Sequence, residues 1–238
     1  MGLPENRWVN LTAKYQKGER NKITDVPGVT VGHVTVDDPA RDIHTGVTAI
    51  LPHRGNLFKD KVAAGLAVIN GFGKSAGLVQ VQELGTVESP VIMTNTFSVG
   101  TAVNAVIRYM LKDNEDIGVS TGTINCVVTE CNDGELNDIR GMHVTEDHVL
   151  KALANTGADF KEGAVGAGRG MCCMGIKGGI GSASRIVKIK DAEYTIGAIL
   201  MSNFGVLGNL RINGEKIETP VEDAKDRDRG SVIIVLAT

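Results

Sequence analysis

The sequence predicts one α+β domain that is built mainly from β-strands. Three observations predict it: short β-branched runs recur along most of the 238 residues, only two segments show helical periodicity, and glycine is abundant. The 30 glycines make up about 13% of the chain, against a usual share of about 7%, and they follow no G-X-Y period. Glycine at this density indicates many tight turns and close approaches between backbones.

Composition argues against several classes of protein. A net charge of −3 gives no basic footprint for nucleic acid. The longest apolar runs are far shorter than the roughly 18 residues of a membrane span, and residues 1–6 show no signal-peptide pattern. We therefore expect a cytoplasmic protein that binds neither nucleic acid nor membrane. The cysteines lack C-x-x-C spacing and are expected to be structural thiols; they are Cys126, Cys131, Cys172 and Cys173.

The predicted strands are short and rich in β-branched residues. Pro27-Gly28 forms a turn before the first strand, Pro52 ends the second, and residues 191–193 turn a hairpin between the two strands before Asn203. The run 232–237 is the most apolar of all and predicts a central buried strand. The full set is 29–31, 47–51, the second half of 62–69, 91–93, 125–129, 185–190, 194–201 and 232–237.

Two helices are predicted. Apolar residues recur at i, i+3 and i+4 spacing over residues 99–111. Thr145 can cap a second helix over residues 146–155, with acidic residues in its first turn and Gly157 after its end.

No cofactor or metal motif is complete. Gly73-Lys74-Ser75 resembles the end of a P-loop, but Val68 stands where that loop requires glycine. The glycines near residue 180 precede a strand-like segment rather than a helix. The histidines are scattered and show no paired metal-ligand spacing; they are His33, His44, His53, His143 and His148. We therefore expect no cofactor and no metal.

Two polar segments follow predicted strands. Four carboxylates lie in residues 130–138, and their spacing does not match a calcium loop. They form either an acidic surface turn or a patch that binds a cationic group, such as a substrate ammonium. Asn203 ends a strand, where its amide could donate to a developing oxyanion, although asparagine before a loop is usually a turn residue.

The Gly230-Ser231 step is the most informative position. A polar, mixed-charge segment follows Pro220 and stops at this step, where the apolar run 232–237 begins. One interpretation is an ordinary loop that meets a strand. The other is an N-terminal nucleophile, in which cleavage before Ser231 frees an α-amine to act as the base for its own hydroxyl. An α-amine has a pKa of about 7.7–8.0, which suits a general base.

An ordered set of segments resembles the DmpA/β-aminopeptidase family of N-terminal-nucleophile hydrolases. The set runs from residue 23 to the end of the chain, and the Gly-Ser step stands at the expected place. The segments are 23–33, 45–52, 70–73, 93–100, 130–139, 178–185, 203–205 and 230–238.

The resemblance implies a fold, a site and a reaction. The fold is an αββα sandwich, with two packed, mainly antiparallel sheets and helices outside, as also occurs in ornithine acetyltransferase. Self-cleavage between Gly230 and Ser231 would make Ser231 the nucleophile, with Asn203 as oxyanion donor. Glu130 and Asn132 would bind the substrate, and Glu130 would hold the substrate's free amino group. The reaction would release N-terminal residues from short peptides, amides or esters through an acyl-enzyme, in a homo-oligomer without metal.

Two departures from the family pattern shape the expectations. Residues 1–22 are polar and mixed in charge, so we expect an N-terminal arm (1–22) and one hydrolase domain (23–238). The chain ends seven residues after Ser231. Residues 1–230 would form the α segment and 231–238 the start of a truncated β segment, whose missing part is an expected partner. No aromatic residue lies between Val127 and Ile139, which leaves specificity open. The alternatives are an acyltransferase of the ornithine acetyltransferase type and a non-catalytic subunit.

Overall fold

The computed structural model describes residues 15–212, 214–216 and 230–238. Its helices and strands follow in chain order. The α-helices are α1 (Leu78–Leu84), α2 (Val99–Leu111) and α3 (Glu146–Ala154). The strands are β1 (Thr30–Asp38), β2 (Ile43–Leu51), β3 (Val62–Ala63), β4 (Thr86–Val87), β5 (Val91–Asn95), β6 (Val127–Cys131), β7 (Cys172–Cys173), β8 (Ile176–Lys177), β9 (Gly179–Ile189), β10 (Ala192–Asn203), β11 (Arg211–Ile212), β12 (Glu215–Lys216) and β13 (Ser231–Ala237).

Two sheets make up the body of the domain. The first has the order β1-β2-β5-β6, with antiparallel pairs except for the parallel pair β5–β6. The second has the order β13-β10-β9 and is antiparallel throughout. The strands of both sheets alternate between an inner and an outer face, because successive side chains in a strand point to opposite sides.

The inner faces pack against each other. Ile50 and Met93 of the first sheet belong to the same buried cluster as Ile199 and Met201 of the second. Burying an apolar side chain of this size contributes about 1.5–3 kcal/mol, so the contact between the sheets is the main core. Helices α2 and α3 cover the outer face of the first sheet through a second cluster; its members include Val47, Ala49, Ile92, Val128, Ala102, Val106, Val149 and Ala152.

Helix α3 lies directly on β1 because Gly32 has no side chain. A Cβ at Gly32 would stand 2.2 Å from the carbonyl oxygen of Ala152. The start of α3 is fixed as expected, since the Thr145 hydroxyl accepts a hydrogen bond from the His148 N–H. Both predicted helices are confirmed, and so is the hairpin β9–β10.

Three sequence expectations are wrong or incomplete. The segment after Val62-Ala63 is not a buried strand, since Val68 and Ile69 are 57% and 81% exposed. Strand β13 is not central among the described residues: it forms the edge of its sheet, and Leu236 is 68% exposed. Helix α1 was not predicted.

The two ends of the predicted domain are described only in part. Of the arm 1–22, residues 1–14 lie outside the described residues, while Gln16 forms a β-bridge with Ile186. Residues 217–229 of the polar segment before Gly230 also lie outside them. Among the described helices, none has the length and apolar character needed to cross a bilayer.

Candidate active site

Ser231 and Asn203 face each other at one end of the second sheet. Ser231 is the first residue of β13 and Asn203 the last of β10, and the antiparallel register pairs them directly. Asn203 Nδ2 lies 3.4 Å from Ser231 Oγ. The sheet therefore brings together the predicted nucleophile and the predicted oxyanion donor, which are 28 positions apart in the chain.

Two backbone groups fix the orientation of the Asn203 amide. The Cys172 N–H donates to Asn203 Oδ1 at 3.0 Å. Asn203 Nδ2 donates to the Asn132 carbonyl oxygen at 2.7 Å. A backbone N–H can only donate and a carbonyl can only accept, so the amide has one favourable orientation. That orientation turns its NH2 group toward Ser231.

The residue before Ser231 must be small. A Cβ at Gly230 would stand 2.5 Å from the Phe204 Cβ and 2.7 Å from the Phe204 Cα. Real Cβ atoms do not approach other atoms so closely, so only glycine fits here without a shift. Gly230 is exposed and lies beside Phe204, the residue that follows Asn203.

A buried thiol lies behind the nucleophile. Cys131 ends β6 and is fully buried, with its side chain in contact with the Ser231 side chain. Burial raises the pKa of the Cys131 thiol to about 12, and the nearby carboxyls of Glu130 and Asp133 add to this. Cys131 is therefore an uncharged packing group, as expected for a structural thiol.

Glu130 and Asn132 have different surroundings. The Glu130 side chain is buried, accepting hydrogen bonds from the Lys74 N–H at 3.0 Å and from the Thr96 hydroxyl. Both partners are neutral donors, so neither contact cancels the charge of a carboxylate. The exposed Asn132 reaches Asn203 through its backbone carbonyl, while its side chain accepts from the Gly134 N–H at 2.9 Å. Their roles in substrate binding remain predictions.

The turn after β6 is anchored by Asp133, one of the four carboxylates for which the sequence left open either an acidic surface turn or a patch that binds a cationic group. Asp133 is fully buried and accepts from the Thr45 hydroxyl at 2.6 Å and from Asn137 Nδ2 at 3.0 Å. Asn95 Nδ2 donates in turn to Thr45 Oγ1 at 2.8 Å. Burial raises the pKa of Asp133. Asp133 therefore holds the turn that carries the Asn132 carbonyl, rather than facing a cationic ligand.

A cavity opens beside these groups. Its volume is about 630 Å³, and its walls come from Asp42 and His44 at the start of β2, from the turn after β6, and from Arg169 and Lys177. The lining includes Asn137, Asp138, Arg169 and Lys177. Within the described ranges, no group of three His, Cys, Asp or Glu side chains could hold a metal ion.

Residues 21–238 match Peptidase family S58. The chain belongs to this family. It is 37% identical over 222 residues to a protein of Sphingosinicella microcystinivorans named beta-peptidyl aminopeptidase BapA, covering 90% of this chain and 55% of that protein. The family resemblance drawn from the sequence is therefore confirmed.

Solved structures show the same fold. The PH0078 protein from Pyrococcus horikoshii OT3 superposes with a TM-score of 0.87 at 50% identity, covering 93% of this chain and 64% of that one. An L-aminopeptidase D-Ala-esterase/amidase from Ochrobactrum anthropi gives a TM-score of 0.82 at 36% identity, with the same coverages. It is described as a prototype of the serine aminopeptidases and a variant of the Ntn hydrolase fold. The predicted α+β sandwich is thus confirmed, and the chain spans 55–64% of these relatives' length.

Proposed function

We propose that this chain is the nucleophile-bearing part of a self-processing serine aminopeptidase or amidase. The observation that carries the proposal is the pairing of Ser231 with Asn203, in which an oriented amide NH2 lies 3.4 Å from the hydroxyl. Membership of a peptidase family that includes beta-peptidyl aminopeptidases supports it. The substrates in this proposal are short peptides, amides or esters with a free N-terminal amine.

The chemistry follows from groups at the start of β13. Cleavage of the Gly230–Ser231 bond by water frees the α-amine of Ser231. That amine takes the proton of Oγ while Oγ attacks the substrate carbonyl, and Asn203 stabilises the resulting oxyanion. The protonated amine then gives its proton to the leaving amine, which departs. Water hydrolyses the acyl-enzyme with the α-amine again as base, which restores the free hydroxyl.

Glu130 is the proposed partner of the substrate's ammonium group. It lies one residue before the thiol that contacts Ser231, and its described partners leave the charge of a carboxylate uncompensated. Attraction between this charge and the ammonium would select substrates with a free N-terminus.

The proposal includes a missing partner segment. β13 is a sheet edge among the described residues, and its outer side chains Ile234 and Leu236 are 56% and 68% exposed. An exposed apolar edge strand is prone to pair with further strands. We assign this edge to a C-terminal β segment that belongs to the part of the relatives' length not spanned here. A homo-oligomer and a cytoplasmic location complete the proposal; the four cysteines, all free thiols, fit the latter.

The test is the intact mass of the product of the full reading frame, with Ser231→Ala beside it. The wild type should lose the bond after Gly230 and hydrolyse an aminoacyl p-nitroanilide, and Ser231→Ala should do neither. Turnover retained in Ser231→Ala would refute the proposed nucleophile. An uncleaved wild type would make Ser231 an ordinary strand residue and favour a non-catalytic subunit, while acyl transfer to an added amine would favour an acyltransferase.

A further inference from the structure

The N–H that orients Asn203 belongs to a very short hairpin. Strands β7 and β8 have two residues each, and Met174 and Gly175 between them both have positive φ, as in a tight two-residue turn. An isolated hairpin of this length is at best marginally stable in water. Its position therefore depends on contacts outside the hairpin.

Two of these contacts are made at the end of β10. The Met174 N–H donates to the Phe204 carbonyl at 2.7 Å, and the Cys172 N–H donates to Asn203 Oδ1 at 3.0 Å. These bonds join the hairpin to the site, but they involve residues 203–204 themselves. They therefore do not explain what holds the hairpin to residues other than 203 and 204.

Lys177 supplies that anchor. Its ammonium donates to the carbonyl oxygens of Gly168 at 3.0 Å, Met171 at 2.6 Å and Gly178 at 2.8 Å. An ammonium group has three protons, so these acceptors use all of them. Gly168 and Met171 are buried, and without Lys177 each would lose a charged donor. Much of the side chain is exposed, yet the ammonium itself is held, and burial lowers the pKa of Lys177.

We propose that Lys177 is a positioning residue of the candidate active site. It ties β8 to the chain on both sides of the hairpin, and this holds the Cys172 N–H against Asn203 Oδ1. Asn203 then presents its NH2 group to Ser231. Lys177 contacts neither Ser231 nor Asn203 in the described hydrogen bonds, so it acts through the hairpin. The effect of Lys177 on kcat rests on the proposed function, whereas its effect on the position of the Asn203 side chain does not.

The structural test observes the Asn203 side chain directly. The two N–H signals of its amide are identified in a ¹⁵N-labelled protein by their loss in Asn203→Asp. Lys177→Met should shift these signals and increase their exchange with water. Lys188→Met, the same change at an exposed position of β9, should leave them unchanged. Unchanged Asn203 signals in a folded Lys177→Met protein would overturn the proposal, whatever the enzyme's activity.

The kinetic test separates positioning from a general loss of stability. A small misplacement of a group at the reacting centre can cost about 10²-fold in rate, so Lys177→Met should lower kcat about 10- to 100-fold with KM within about twofold. Because Lys177 acts through Asn203, the same change should have no further effect in an Asn203→Ala background. Additive losses in this double-mutant cycle would refute the coupling.

A conservative variant covers a folding failure. Lys177→Arg keeps the charge and several donors, so it should retain the Asn203 signals and most of kcat even if Lys177→Met does not fold. Loss of the Asn203 signals in a folded Lys177→Arg would count against the proposed anchor. If Asn203→Ala itself leaves kcat unchanged, the proposed function fails, and the amide signals still decide the role of Lys177.

Discussion

Replacing Asn203 by aspartate tests the candidate site with a change of one atom. Aspartate keeps an oxygen where the Cys172 N–H donates at 3.0 Å. It places a second oxygen where Nδ2 now lies, 2.7 Å from the Asn132 carbonyl oxygen and 3.4 Å from Ser231 Oγ. The Nδ2 group donates to the Asn132 carbonyl oxygen and to Ser231 Oγ, whereas the carboxylate oxygen that replaces it can only accept.

The expected magnitude follows from these contacts. Removal of one oxyanion donor costs about 10²–10³ in kcat, or about 2.7–4 kcal/mol in the transition state. The lost hydrogen bond to Asn132 costs about 0.5–1.5 kcal/mol of folding stability. Binding of the substrate does not use this donor before the oxyanion forms, so KM should change by no more than a few-fold.

Steady-state kinetics on an aminoacyl p-nitroanilide measure the effect, and urea unfolding measures the stability. Asn209→Asp makes the same change at an exposed position six residues later and should leave kcat unaltered. A kcat for Asn203→Asp within about threefold of the wild type would remove Asn203 from the chemistry. A fall in kcat that only mirrors a lower fraction of folded protein would refute the argument equally.

Three further predictions follow from other contacts. Glu130→Gln should raise KM at least about 10-fold for substrates with a free amine, because a hydrogen bond to a charged group contributes about 1.5–3 kcal/mol and about 1.4 kcal/mol is tenfold. An unchanged KM would show that Glu130 does not bind the substrate's ammonium group. Gly230→Ala should slow cleavage as followed by intact mass, because its Cβ would stand 2.5 Å from the Phe204 Cβ and 2.7 Å from the Phe204 Cα. Phe204→Ala keeps both of these atoms and should not restore the rate, so an unslowed Gly230→Ala would refute the steric argument. Burial of His33 lowers its pKa from 6.5 to about 4, so only the unfolded state gains this proton between those values. Stability should therefore fall by at most about 3 kcal/mol from pH 7 to pH 4, and urea unfolding of His33→Gln should show a shallower decline.

The parts of the fold that the sequence predicts are those whose pattern is local. The period of apolar residues in 99–111 and the cap at Thr145 each need only neighbouring positions, and both helices form as expected. The Gly230-Ser231 step is also local, since a polar segment meets a β-branched run there. Its pairing with Asn203 is a matter of sheet register, which the sequence alone does not display.

The errors arise where distant residues decide the outcome. Helix α1 buries Gln80 and Val81 while Val79 and Leu84 are exposed, so its pattern gives no helical signal. The run 64–69 is apolar but pairs with no strand among the described residues. Asp133 looks like one more surface carboxylate until the fold brings Thr45 to it from 88 positions away.

The candidate site also depends on groups that no sequence motif can reveal. The two partners that orient Asn203 are the backbone N–H of Cys172 and the backbone carbonyl of Asn132. Backbone groups are the same whatever side chain a residue carries, so the absence of an aromatic residue from the turn after β6 leaves this orientation intact. Changes at position 132 should therefore alter contacts with the substrate before they alter the Asn203 amide. Side-chain chemistry identifies Ser231 and Asn203 as candidates, whereas backbone contacts determine the direction in which the amide points.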